Sequence, residues 1–244
     1  MRIILSPSTQ EAADTVAMMV LDKIESHPQS VLGLATGRTM EPVYKSMVDT
    51  MTKKPMHLEK CFFFMLDEYL GLPENHASSF KSYIEFHLVK PLNLHHDQFA
   101  FPPVHTSNLE LAAENYERCL REAGGVDLQL LGIGTNGHIG FNEPGSLGDS
   151  RTRRILLTEE TRLANKTQFK EGEMPREALS MGIGSILDAK SLIMLASGRS
   201  KADAIKYLMN HHDDPKCPAT YLKSHPHFTL VLDPDAASKI NLNI

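Results

Sequence analysis

Cysteine is scarce in this chain: Cys61, Cys119 and Cys217 are an odd number and show no C-x-x-C spacing. Their scarcity argues against a disulfide framework or a paired redox motif and fits reduced, mostly buried thiols in a cytoplasmic protein. Long apolar runs are missing too. None approaches the ~20 residues needed to cross a bilayer, and the opening MRIILSPST is a short strand followed by polar residues, not a signal-peptide core. Positive charge is not in excess. The formal net charge is −5, so neither nucleic acid nor an anionic membrane is an expected partner. No repeat, low-complexity tract or linker divides the 244 residues, which predicts one domain over 1–244 with a substantial core.

What the chain does have is alternation. Runs at Ile3–Leu5, Val31–Ala35, Cys61–Leu66, Gln98–Phe101, Val126–Ile133, Arg153–Leu157, Ser191–Ala196 and Phe228–Leu232 read as strands. Helical spacing joins them. Ala13, Val16, Ala17, Val20, Leu21 and Ile24 follow a Ser8 or Thr9 cap, Pro42 opens a second helix, and Pro91 ends one over Ser78–Val89. Leu109–Ala123 is closed by Gly124-Gly125, a further helix reaches about Met209, and Pro234 opens a short terminal one. This order predicts an α/β fold: a single doubly wound, mostly parallel sheet with helices on both faces, Rossmann-like.

The stretch Val126 to Pro144, VDLQLLGIGTNGHIGFNEP, organises the rest. A buried strand runs into glycines at 132, 134 and 137, then delivers His138, Asn142 and Glu143 onto a loop. Open α/β sheets build their sites at such carboxyl ends. Gly132 to Gly137 fits G-x-G-x-x-G letter for letter, but Gly140, Pro144 and Gly145 forbid the helix that a dinucleotide site needs directly behind it. The nicotinamide reading is rejected.

Other strand ends carry chemistry as well. Thr36, Gly37, Arg38 and Thr39 stand where a strand meets a helix. Free N–H groups, hydroxyls and a guanidinium there suit a phosphate, although the same residues also serve a bare turn. Ser197-Gly198-Arg199-Ser200-Lys201 repeats that equipment. Asp67 and Glu68 are adjacent carboxylates pointing in different directions, so they are no acid/base pair with each other. Asp67 is a candidate base, or else the cap of the following turn. Loops 36–39, 67–69, 134–144 and 197–201 would share one sheet edge, which points to a small phosphorylated metabolite undergoing proton transfer.

No G-x-S-x-G elbow, Walker A loop or H-E-x-x-H helix is present. His138 and Glu143 are five apart on a loop, and His211-His212-Asp213-Asp214 reads as a solvated turn, so no metal enters the chemistry. The polar stretch 161–175 is either a lid over the substrate or a plain surface excursion.

Together, LGLATGRT at 32–39, MLDEYLGL at 65–72, LLGIGTNGHIGFNEPGS at 130–146, SRTR at 150–153, TRLAN at 161–165 and SGRSKADA at 197–204 resemble the glucosamine-6-phosphate deaminase family. The resemblance runs from near the amino terminus to Leu232, and NGHIGFNEP paired with LDEY is highly specific. It implies conversion of glucosamine 6-phosphate to fructose 6-phosphate and ammonia, without cofactor or metal. Asp67 would move a proton from sugar C2 to C1. His138 would help open the ring, oriented by Glu143, with Asn136 two positions before it. Gly37, Thr39 and Lys201, with Thr36 and Arg38 beside them, would hold the phosphate, and Glu68 and Gly137 would complete the substrate contacts. A lid over 161–180 is consistent with the family.

Three departures stand out. Some members have Asp where Asn136 stands, which implies a retuned histidine. Many have a second phosphate-binding arginine just after TRxAN; here Lys166-Thr167-Gln168 follows Asn165, and either Arg38 or Lys166 supplies the charge. Allosterically activated members carry a basic residue at Ile155 and a longer carboxyl terminus, so activation by N-acetylglucosamine 6-phosphate is expected to be weak or absent. A galactosamine-6-phosphate deaminase is the nearest alternative. The intact motifs argue against a 6-phosphogluconolactonase. A sugar-phosphate sensor of transcription regulators would need a DNA-binding segment ahead of the first strand, where Arg2 or Ile3 leaves no room. Some relatives are hexamers and others monomers, so a homo-oligomer stays open.

Overall fold

The computed structural model describes residues 1–170 and 173–241. β1 (Arg2–Leu5) leads into α1 (Thr9–Ser26), whose first turn is capped by Ser8 Oγ accepting from the Glu11 N–H. The α1 stripe Ala12, Ala13, Val16, Ala17, Val20, Leu21 and Ile24 is buried. β2 (Val31–Leu34), α2 (Glu41–Lys53) and β3 (Phe62–Met65) follow, then β4 (Asp67–Tyr69).

The helix expected over Ser78–Val89 is composite: α3 (Phe80–Ile84), a π-helical turn (Glu85–Val89) and α4 (Lys90–Leu92). Pro91 lies inside it and does not end it. A proline lacks the N–H and crowds the carbonyl four residues back. Here the backbone widens instead, and the Lys90 N–H reaches the Glu85 carbonyl five residues back.

β5 (Phe99–Ala100), α5 (Leu109–Glu122), β6 (Leu128–Leu131), β7 (Arg153–Leu156), α6 (Glu159–Asn165), β8 (Glu177–Ser180), α7 (Ile183–Leu187), β9 (Leu192–Ala196), α8 (Ala202–Asn210) and β10 (Phe228–Leu232) complete the order. Among the described residues no helix forms behind Pro234. The Asp233 carboxylate takes the Ala236 N–H, and after one four-residue bond, Ala237 to Asp233, the bonds Ser238 to Asp235 and Ile240 to Ala237 span three residues, so turns result.

Seven strands form a parallel sheet in the order β1-β10-β9-β6-β2-β3-β5. Every residue of β2, β6 and β9 is buried, which requires cover on both faces, as a parallel sheet does. From β2 the chain builds outward through β3 and β5 on one side. From β6 it builds through β9 and β10 on the other. The reversal between β2 and β6 is a topological switch point, where such sheets bind ligands.

A second, antiparallel sheet, β4-β8-β7, has no counterpart in the sequence reading. The apolar run 61–66 does not end in a turn at Asp67. The Leu66 N–H still donates to Leu34 of the large sheet at 3.3 Å, while its carbonyl accepts from Met181 at 2.7 Å. One residue thus belongs to both sheets, and Asp67 lies in a strand opposite Ser180. β7 also belongs to this small sheet and not to the parallel one. Its own hydrophobic cluster joins Tyr69, Leu72, Phe80, Phe141, Leu157, Phe169 and Ala178. Of the stretch 161–180, residues 177–180 are β8, and Glu171 and Gly172 lie outside the described residues. No helix among the described residues is long and apolar enough to cross a membrane.

Candidate active site

Strand register sets the site. Leu34 lies opposite Met65, and Leu131 opposite Met194, so the loops after β2, β3, β6 and β9 leave the sheet side by side. They enclose a cavity of about 640 Å³ lined by Thr36, Gly37, Arg38, Thr39, Asp67, Gly134, Thr135, His138, Thr161, Asn165, Ser197, Ser200 and Lys201 among others.

One end of this cavity is built for an anion. Two tyrosine hydroxyls hold the 35–39 loop from below, Tyr44 donating to the Ala35 carbonyl and Tyr83 to the Gly37 carbonyl at 2.9 Å. Burial pushes both phenols far up, so they stay donors. Facing this loop, Lys201 is held below the usual ammonium range by burial and then by the Arg38 guanidinium beside it. Two cations facing one another are mutually repulsive until an anion lies between them. Lys166, the other residue considered for the missing arginine, is exposed and does not line the cavity. The second anion loop is braced from β10: the Gly198 N–H donates to both oxygens of the buried Asp233, at 3.1 and 2.9 Å, and Thr9 Oγ1 donates to the same carboxylate.

Asp67 also lines the cavity and is 5% exposed. Its carboxyl accepts no hydrogen bond among the described residues. Burial, and then the charge of Glu68, raise it to about 8. Glu68 points the other way, as alternation in a strand demands. Its carboxylate accepts from the N–H groups of Tyr69, Phe80 and Lys81 at 2.9, 3.0 and 2.8 Å. It therefore ties α3 to β4 and is not among the cavity-lining residues. The expected substrate contact is a helix tether.

His138 lines the same cavity. Its Nδ1 lies 2.8 Å from Asn136 Oδ1 and 3.6 Å from Glu143 Oε2. With Nδ1–H donating to the amide, the ring's lone pair sits on Nε2. Asn136 Nδ2 in turn donates to Glu143 Oε2 at 3.0 Å. Burial opposes ionisation of Glu143, but contact with His138 and bonds from Thr161 and Asn136 outweigh it and hold the carboxyl at about 2. The ring lies flat on Gly134: a Cβ there would come within 2.2 Å of His138 Cε1. Gly137 does not line the cavity. It has φ +84 and abuts Cys217, whose Sγ a Cβ would meet at 2.2 Å, so it makes the turn and not a ligand contact.

The reading from residue types left 161–175 as either a lid or a surface excursion and assigned no contact within it. Thr161 and Asn165 both line the cavity from α6. Their spacing of four within TRLAN puts them on one helix face, a signal that was present in the sequence. Ser197 and Ser200, read from the sequence only as hydroxyls of the second anion loop, line the cavity as well. Thr158, the cap residue of α6, and Thr161 both donate to Glu143 Oε1, Thr158 at 3.2 Å. Among the described residues no group of three or more His, Cys, Asp or Glu side chains is arranged to hold a metal ion. The arrangement can hold a small anionic molecule by one end while a carboxyl and an imidazole exchange protons with the rest of it.

The model of the family described as glucosamine-6-phosphate isomerases/6-phosphogluconolactonase matches residues 6–231. A glucosamine-6-phosphate deaminase of Rhodopirellula baltica is 42% identical over 96% of this chain and 94% of its own length. One from Marinomonas sp. is 40% identical over 99% and 92%. Among solved structures, a monomeric glucosamine-6-phosphate deaminase superposes with a TM-score of 0.96 at 34% identity, covering 98% of this chain and all of its own. A 6-phosphogluconolactonase from Trypanosoma brucei reaches 0.79 at 18% identity, a likeness of fold alone. Matches of this extent place the chain in the glucosamine-6-phosphate isomerase/6-phosphogluconolactonase family.

Proposed function

We propose that this protein is a glucosamine-6-phosphate deaminase of amino-sugar catabolism, acting in the cytoplasm as one catalytic domain on a soluble sugar phosphate, without nucleic acid or cofactor. The observation that carries the reading is one cavity that joins an Arg38–Lys201 anion end to an unpaired Asp67 carboxyl and a braced His138. Relatives at about two-fifths identity bearing that name support it, and a monomeric solved relative makes the monomer the working assembly.

The phosphate is held by Thr36, Gly37, Arg38, Thr39, Ser197, Ser200 and Lys201. His138 Nε2 accepts the proton of the anomeric hydroxyl and returns it to the ring oxygen, opening the pyranose. Asp67, in its ionised form, takes the proton from C2, leaving an enolamine, and gives it back at C1. The C2 iminium adds water and releases ammonia, leaving the ketose phosphate. Glu143 and Asn136 keep the imidazole in place throughout.

The test is ammonia release from glucosamine 6-phosphate and galactosamine 6-phosphate in parallel, without added metal or cofactor. Fructose 6-phosphate formed from the gluco sugar is the expected result. Preference for the galacto sugar keeps the mechanism and changes the substrate. Release from neither overturns the reading.

A further inference from the structure

We propose that Thr161 is a positioning residue for the His138–Glu143 pair, so that the pair is set only while α6 is docked over the cavity; the inference rests on the reaction proposed above. Thr161 is 2% exposed although it sits on a short surface helix. Its hydroxyl, with that of Thr158, takes Glu143 Oε1. Oε2 is thereby left to Asn136 and His138. The carboxylate is shared, one oxygen to the helix and one to the catalytic loop.

The helix is tied to the site at further points. Thr135 of the catalytic loop donates to Glu160 Oε1 at 2.9 Å, and Asn165 Nδ2 donates to the Tyr69 hydroxyl at 3.2 Å. Phe169 stacks edge-on against Tyr69, with ring centroids 5.3 Å apart. Undocking α6 strips Glu143 of both donors on one oxygen while most of the residue stays buried, a costly state unless the carboxylate turns away. Turning it away releases Asn136 and, through it, the imidazole. The titratable and charged groups facing this contact are His138 on the same loop, Glu160 on α6, Asp67 across the cavity and Arg153 on β7, which holds Asn142 beside Glu143 at 2.9 Å.

Coupling of this kind is reciprocal, which gives two independent arms. In Glu143→Gln, amide hydrogen exchange of residues 159–165 should quicken while α1 is unchanged. Equal exchange in the two proteins overturns the proposal, and this arm needs no catalysis. In Thr161→Val, kcat on cyclic glucosamine 6-phosphate should fall about tenfold, the worth of one bond to a charged group, with KM within about twofold. An open-chain analogue should lose less, and Thr161→Ser, which keeps the hydroxyl, should restore the wild-type rate. A rise confined to KM would make Thr161 a substrate contact, and a Thr161→Ser as poor as Thr161→Val would make it a packing residue. Either result overturns the proposal. Wild-type protein that releases ammonia from neither sugar sinks the reaction instead, with the exchange arm still deciding the coupling.

Discussion

Asp67 and Glu143 are both carboxylic acids under a tenth exposed, one lining the cavity and the other bonded behind the histidine that lines it, yet the fold holds them at opposite extremes. Among the described residues Asp67 meets no donor, and it is pushed up to about 8; Glu143 meets Asn136, Thr158, Thr161 and His138 and is held at about 2. Burial acts in the same direction on both. What differs is the number of donors, and donors win. The pair shows how one loop cluster supplies a carboxyl that can take up a proton near neutrality beside one that never does.

Removing Asp67 should have the largest effect. Asp67→Asn should lower kcat by about 10³ or more and abolish exchange of the C2 proton into deuterated water, with sugar-phosphate binding nearly intact. Loss of binding would make Asp67 structural. The Glu143 side should be second. His138→Gln should cost about 10² on the cyclic substrate and much less on an open-chain analogue; equal losses would count against ring opening. Third, because Asp67 must lose its proton to act as a base, kcat/KM should climb about tenfold per pH unit below about 8 and level off above it. A profile flat from pH 6 to 9 would break the contrast.

The fourth expectation is thermal, and the two carboxylates should differ in sign. Unfolded, Asp67 ionises near pH ~4; folded, it keeps its proton to about 8, so it costs stability progressively as pH rises between those values. Asp67→Asn should melt on the order of 5 °C above wild type at pH 8 and no higher at pH 4. Folded Glu143 titrates at about 2, below its unfolded value near ~4.3. Its contribution is present above that value and lost as pH falls through 2. Glu143→Gln should therefore melt lower at pH 8, with the gap closing in acid. Shifts of the same sign would refute the comparison. The smallest effect concerns the far side of Glu143, where Arg153 and Ile155 line a second cleft. Ile155 packs against the small hydrophobic cluster, and N-acetylglucosamine 6-phosphate should change the half-saturating substrate concentration less than about twofold.

The parallel sheet was legible because its strands are apolar on both faces and its helices carry caps and stripes. The small sheet was not. β4 and β8 are three and four residues long, too short to show a period, and DEY reads as easily as a turn. That is why Asp67, a candidate base, could equally be read as the cap of a following turn when it is a strand residue. Glu68 looked like a ligand contact because alternation puts neighbours on opposite sides only once the strand is recognised. Gly137 was read as a contact because a loop glycine's neighbour, here Cys217, is invisible in sequence. His138 and Glu143 were singled out because they crowd one loop, while Asn136 entered only through the family resemblance. Their partners Thr158 and Thr161 come from a segment whose function depends on where it docks.

The first strand of this protein pairs with the last. β10 lies between β1 and β9, and Asp233 at its end holds both Gly198 of the anion loop and Thr9 at the start of α1. A growing chain therefore carries β1 with no neighbour in the sheet, and an open edge on β9, until residues 228–233 have been made. Edges left open in this way favour pairing between molecules, so a chain cut short before β10 should be sticky as well as unable to hold a phosphate. An intact anion loop would then report that β10 has taken its place in the sheet.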